Sequence, residues 1–231
     1  FGHWETQGSI TIPEKINYIG KYAFYECFGL TGSLIIPKSV AYIGEFAFYG
    51  CIGLTGPLTI PNSVKTIESS AFAYCRELNG NLTLPNSIKE IEESTFYGCY
   101  KLMDELIIPD SVNSIGFMAF YNCTNLNSTL RIPNSVNRID DKAFYNCSSF
   151  YGDLKLPNSI KSIGGYAFYN CNGFNGELIL SDSISVVEHS AFYNCNKFIG
   201  NLIIPKSVER IDGMAFYNCT SFNGKLILQN N

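Results

Sequence analysis

Cysteine stands at positions 27, 51, 75, 99, 123, 147, 171, 195 and 219, a spacing of 24 residues that uses all nine cysteines of the 231-residue chain. Proline keeps the same interval at 13, 37, 61, 85, 109, 133, 157 and 205, with Ser181 in the one vacant slot and only Pro57 out of register. Phenylalanine fills 24, 48, 72, 96, 120, 144, 168, 192 and 216 without exception. Three residue types on one interval mean that a single supersecondary unit is repeated. A unit this short cannot close its own core, so each copy must bury its apolar face against the next. The expected architecture is a solenoid: one domain over residues 1–231, built of about nine 24-residue turns stacked ~4.8 Å apart at their strands.

Within one unit the local structure divides into pieces. Leu34 and Ile36 alternate with Ile35 and are stopped by Pro37, which predicts a short strand with Ile35 facing out. Val40 and Ile43 predict an extended or turn segment on another side of the coil. From Gly44, the spacings of three and four between Ala47, Phe48 and Cys51 predict a single helical turn with those three on one inward face. Gly32, Gly56, Gly80, Gly152, Gly176, Gly200 and Gly224 mark the corner back to the next strand. The expected class is therefore α/β, mainly β, with a short strand and one helical turn per repeat.

The pattern Cys-x-x-Leu, Leu-x-Ile-Pro-x-Ser-Val-x-x-Ile-Gly and Ala-Phe-Tyr-x-Cys resembles the BspA-like leucine-rich repeats. The run from Leu106-Ile107-Ile108-Pro109 to Ala119-Phe120-Tyr121-Asn122-Cys123 shows it well. The resemblance covers about residues 8 to 228. It departs in having one residue more than the 23 usual in that family, between Leu30 and Leu34, and in Ser181. What it implies is a right-handed leucine-rich-repeat solenoid on surface or secreted proteins, often serving adhesion.

Composition narrows the function classes. Hydrophobic residues are 46% and charged residues 16%, enough apolar material for a core throughout. A formal charge of −4 lacks the surplus of Lys and Arg that nucleic-acid phosphates require. The longest apolar blocks are strand-sized, so no membrane insertion by this segment is expected. Nine cysteines without Cys-x-x-Cys suggest neither a disulfide framework nor a zinc site, and no cofactor is implied. Stacked one rung apart, their Cβ atoms would lie about 5 Å from one another, beyond the roughly 3.5–4.5 Å of a disulfide. A row of buried thiols acting as small hydrophobes is expected instead.

Three further columns bear on function. The outward strand positions are Thr11, Ile35, Thr59, Thr83, Ile107, Arg131, Lys155, Ile179, Ile203 and Ile227. Isoleucines there flank a polar and basic middle, either as a contact surface or because branched side chains suit strands. Tyrosine follows Phe in every repeat except at Ala73, forming an aromatic edge that is either outer packing or a second contact surface. Carboxylates at Glu68, Glu92, Asp140, Glu188 and Asp212 share a slot with glycines. They are read as satisfying N–H groups at the start of the short helical turn, and only remotely as the acid pair of a glycosidase. His3 and His189 are too far apart to assemble a triad. Asn-x-Ser/Thr sequons begin at Asn81, Asn122, Asn127, Asn146 and Asn218, a number that an Asn-rich chain produces by chance. At the ends, His3 and Thr6 replace the Cys and Leu of the pattern, a degraded first repeat suited to capping. Leu226-Ile227-Leu228 is a full strand signal, so the array is expected to continue or leave an open edge. The overall expectation is a non-enzymatic recognition module with a protein or glycan ligand, the alternative being a passive spacer.

Overall fold

The computed structural model describes residues 8–229, so His3 and Thr6, with the expected cap, lie outside the described residues. The chain coils as a parallel solenoid of about nine turns, with two rows of short strands on different sides. The first row comprises Gly8–Ser9, Leu30–Ser33, Leu54–Thr59, Leu78–Thr83, Leu154–Lys155, Leu178–Ile179, Leu202–Ile204 and Leu226–Leu228, with bridges Ile107 to Arg131 and Arg131 to Lys155 carrying it through the middle. The second row runs from Tyr18–Ile19 to Arg210–Ile211, along the segment expected to be extended. Every pairing is parallel because each coil travels in the same direction, and Leu58 opposite Leu82 marks one repeat of advance. At the glycine corner the register slips: Gly56 pairs with Leu78, then Leu58 with Leu82. The first three full rungs accordingly begin their strand at the Leu preceding the glycine, and the first of them ends at Ser33, so the strand expected at Leu34-x-Ile36 is not formed there and Leu34, Ile35 and Ile36 follow it.

The inward columns are those the pattern marks. Leu34, Ile36, Val40, Ile43, Ala47, Phe48 and Cys51 are all buried, as are their counterparts along the interior. The phenylalanines form one stack whose ring centroids are 5.1 Å apart at Phe24–Phe48 and 5.9 Å at Phe72–Phe96, with near-parallel planes. From residue 150 the Leu slot itself becomes aromatic, and Phe150, Phe174, Phe198 and Phe222 form a second stack beside the first.

The expected helical turn is not formed; no helix occurs among the described residues. In its place are consecutive turns that divide the amides between two partners. Ala119, Tyr121 and Cys123 donate to Gly116, Met118 and Phe120 of their own coil, at 3.1 Å each. The alternate residues Met118, Phe120 and Asn122 donate across to Asp141, Ala143 and Tyr145 of the next coil. A helix would turn its amides toward its own carbonyls four residues back and leave the neighbouring coil unbonded. The division requires left-handed residues, and Met118 (φ 55°) and Asn122 (φ 59°) supply them. A left-handed L-residue is strained by roughly 1–2 kcal/mol, and β-branching worsens it. Met118→Val is expected to lower stability in urea by about 1–2 kcal/mol, whereas Met118→Gly should fall within about 1 kcal/mol of the parent. Equal losses would disprove the left-handed assignment.

The thiol row is present, with all nine cysteines free. It also does something the small-hydrophobe reading lacks. Each Sγ from Cys51 to Cys219 donates to the carbonyl of the Phe 27 residues earlier, as Cys123 does to Phe96 at 3.1 Å. Phe96 O also accepts the Cys99 amide, so cysteine links neighbouring coils at a buried carbonyl. Ser181, in the proline slot, donates to Ile160 O in the same inter-coil manner.

Candidate binding face

The strand row presents the outward column as expected: Thr11, Ile35, Thr59, Thr83, Ile107, Arg131, Lys155, Ile179 and Ile203 are exposed, and Ile227 is half-buried. Ile35 retains 71% and Ile107 59% of its surface, far more than isolated packing defects on an otherwise closed coil. From Ile35 to Ile179 the alternation of the pleat produces this, each outward residue lying between two buried ones, as Ile107 does between Leu106 and Ile108, whereas at the last rung Leu226 and Leu228 are themselves exposed. Arg131 sits directly opposite both Ile107 and Lys155, so these three rungs form one continuous surface, and Lys155 in turn faces Ile179.

Two concavities open on this face. The larger, about 700 Å³, is floored by Arg131, Lys155 and Ile179 and walled by Asp153, Asn158 and Asp182. Its volume lies within the ~300–1,000 Å³ of ordinary ligand sites. A smaller one of about 360 Å³ spans Thr83 and Ile107, walled by Asn81, Asn86 and Glu105. The walls were not singled out from the sequence, although they sit at fixed offsets, two residues before and three after each outward position. Reading those columns beside the outward one would have found them.

The wall carboxylates have their own bonds. Asp153 Oδ1 accepts the Glu177 amide at 2.8 Å, and Asp182 accepts from Asn158 Nδ2 at 3.2 Å. Asp110 pairs with Arg131 at 3.4 Å, both side chains largely in water. Lys155 forms no ion pair among the described residues.

The carboxylate column plays a different part from the one expected. Without a helix there is no helix start to cap. Glu68 Oε2 instead accepts the Glu45 amide of the preceding coil at 3.2 Å. Burial pushes the Glu92, Asp140 and Glu188 carboxyls up, with Glu90 and Glu68 adding to it at Glu92, and Arg138 opposing it at Asp140. Arg138 lies 3.1 Å from Asp140, and Arg210 lies 2.7 Å from Asp212. Glu68 thus ties two coils together, while Asp140 and Asp212 pair with the arginine two residues before them.

The tyrosines stack ring on ring along the edge, with centroids 4.5 Å apart at Tyr121–Tyr145 and 4.6 Å at Tyr145–Tyr169. Where Ala73 interrupts the row, Tyr74 leans in and packs edge-on against Tyr49. Ring faces covered by one another are unavailable to a ligand, which favours outer packing over a second contact surface. Of the sequon residues, Asn122, Asn146 and Asn218 stand in a side-chain amide ladder, Asn146 Nδ2 donating to Asn122 and Asn218 Nδ2 to Asn194.

Comparison with known proteins agrees with this geometry. The family profile described as a BspA type leucine rich repeat region matches in six copies, over residues 1–126, 54–171 and 150–231. A leucine-rich repeat protein from Bacteroides ovatus is 26% identical with a TM-score of 0.54, over 96% of this chain and 74% of that one. A T. pallidum leucine rich repeat protein is 25% identical with a TM-score of 0.53, over 82% and 77%. A leucine rich cell surface protein from Faecalibacterium prausnitzii, 21% identical with a TM-score of 0.50 over 97% and 88%, shares the fold. No curated protein matches the chain. Among the described residues no helix is long and apolar enough to cross a membrane.

Proposed function

We propose, from the premise that this chain belongs to the BspA type leucine-rich repeat family, that it is a non-enzymatic recognition module whose outward strand face binds a macromolecular ligand in adhesion at a cell surface. The observation that carries this is the solvent exposure of Ile35 and Ile107 in a column where Thr59, Arg131 and Lys155 occupy the same kind of position. Since the coil accepts polar and charged residues there, the strand does not require isoleucine. Exposed branched aliphatic surface is unfavourable in water and is retained where a partner covers it. The outward column contains no aromatic residue on which a sugar ring would stack, which favours a protein over a glycan. The surface location draws on the F. prausnitzii relative, which is a cell surface protein.

The uninterrupted Phe stack would serve a stiff spacer equally well, and one experiment separates the two. The segment is screened against host surface and matrix components, in parent form and as Ile107→Asp and Ile179→Asp. Both side chains are exposed, so each variant should fold normally, with stability within about 0.5 kcal/mol of the parent. Retention of fold with binding weakened tenfold or more is the expected result. Binding to nothing, or binding indifferent to both changes, leaves the spacer.

A further inference from the structure

On the strand face two cations, Arg131 and Lys155, oppose each other, and of the pair only Arg131 has an ion-pair partner among the described residues, Asp110. We propose that the rungs from Ile107 to Ile179 bind an extended acidic peptide. One acidic side chain sits between Arg131 and Lys155, and an aliphatic side chain two residues to either side rests on Ile107 and Ile179. This inference rests on the strand-face reading above and names the class of its partner.

The first support is electrostatic. Arg131 and Lys155 are direct cross-strand neighbours, and like charges directly opposite each other are destabilising. Folding alone would favour an acid or a neutral residue at one of the two, as Thr59 opposite Thr83 shows is tolerated elsewhere in the column. Asp110 reaches Arg131 only at 3.4 Å and in open solvent, while Lys155 has no ion-pair partner among the described residues. Asp153 and Asp182 also line the concavity, but each carboxylate is already held, by the Glu177 amide and by Asn158. They keep their charge at the walls, and neither forms an ion pair with Arg131 or Lys155 among the described residues. A carboxylate between the two cations would satisfy both with charge-assisted hydrogen bonds.

The second support is spacing. From Ile107 to Ile179 there are three rung intervals, ~14 Å at ~4.8 Å each. An extended chain rises ~3.3 Å per residue and places residues i, i+2 and i+4 on one side over ~13 Å. A peptide lying along the solenoid axis therefore brings an aliphatic, an acidic and an aliphatic side chain onto Ile107, the Arg131–Lys155 pair and Ile179 in turn. An inorganic anion would use the cations but leave both isoleucines bare.

The test is panning of a displayed library of random dodecapeptides on the parent segment, followed by affinity measurement of the selected peptides on Lys155→Glu, Ile179→Asp and the parent. Enrichment of Asp or Glu with aliphatic residues two positions to each side is expected. Lys155→Glu should weaken those peptides about tenfold or more while unfolding at the same or a higher urea concentration, because it removes the like-charge contact. A purely structural lysine would show no such separation of binding from stability. Selected peptides without acid enrichment, or with affinity lost in Ile179→Asp but kept in Lys155→Glu, overturn the acidic partner and leave the strand face standing. Peptides indifferent to both changes overturn the strand face as well. Failure to enrich any sequence, or capture of a sulfated polysaccharide with the same Lys155 dependence in its place, also overturns the acidic peptide.

Discussion

Raising the pH in the presence of a reductant should unfold this protein between about pH 9.5 and 12, in a transition much steeper than its acidic composition would suggest. Burial pushes the thiols up throughout the interior row: Cys51 to about 12, and the terminal Cys219, less enclosed, to about 11. Cys75, Cys99, Cys147 and Cys195 are raised well above the ordinary value, again by burial first and neighbouring thiols second. An unfolded thiol ionises near about 8.5. Below that pH both states hold the proton and no stability is lost. Above it the unfolded chain releases protons that the folded chain keeps, so unfolding is favoured progressively until the folded values are reached.

Each fully buried thiol then costs about 1.4 kcal/mol per pH unit. Seven of them, Cys51 to Cys195, are wholly enclosed, which makes the combined slope on the order of 10 kcal/mol per pH unit. Native stability at ~0.05–0.15 kcal/mol per residue would be exhausted within roughly one to four units. The tyrosine edge acts in the same direction at higher pH, since burial followed by Tyr121 and Tyr169 raises Tyr145 to about 12. Urea midpoints between pH 7 and 10.5 measure the slope, and Cys99→Ala should reduce it by about 1.4 kcal/mol per unit. A flat profile to pH 10.5 would show that the thiols reach solvent.

Phe120→Ala should cost about 3–5 kcal/mol, whereas Phe216→Ala should cost less than half of that. Phe120 is fully enclosed and has a ring on each side, Phe96 at 5.4 Å and Phe144 at 5.3 Å. Phe216 is only partly buried and has Phe192 on one side, at 5.5 Å. In a stack stabilised by nearest-neighbour contacts, an interior truncation loses two interfaces and a terminal one loses one. Urea unfolding followed by circular dichroism gives both values. Equal losses would mean that the phenylalanines pack within their own coils and not through the stack.

The inward and outward columns were legible in the residues because a 24-residue coil places every copy of a position in the same environment. Phe at 120 and Ile at 107 therefore declare one face each without any knowledge of the fold. The turn at Gly116 to Cys123 was not legible. A helical turn and a run of left-handed-containing turns place Ala119, Phe120 and Cys123 on the same inward side, so apolar spacing cannot separate them. What separates them is the destination of the Phe120 amide, Ala143 of the next coil. The same holds for the cysteines, whose burial follows from their interval but whose bond to a Phe carbonyl requires the coil beneath.

The candidate face divides in the same way. Isoleucine and the two cations could be assigned to one outward column from their interval alone, and that assignment holds from Thr11 to Ile203. That Arg131 faces Lys155, and that Asp153 and Asp182 stand at the walls already bonded, depends on how neighbouring coils align laterally. Periodicity determines which way a side chain points, because that is a property of one chain repeated. Stacking alone decides what it meets, because each contact is made between residues about 24 apart and its geometry is set by hydrogen bonds between coils.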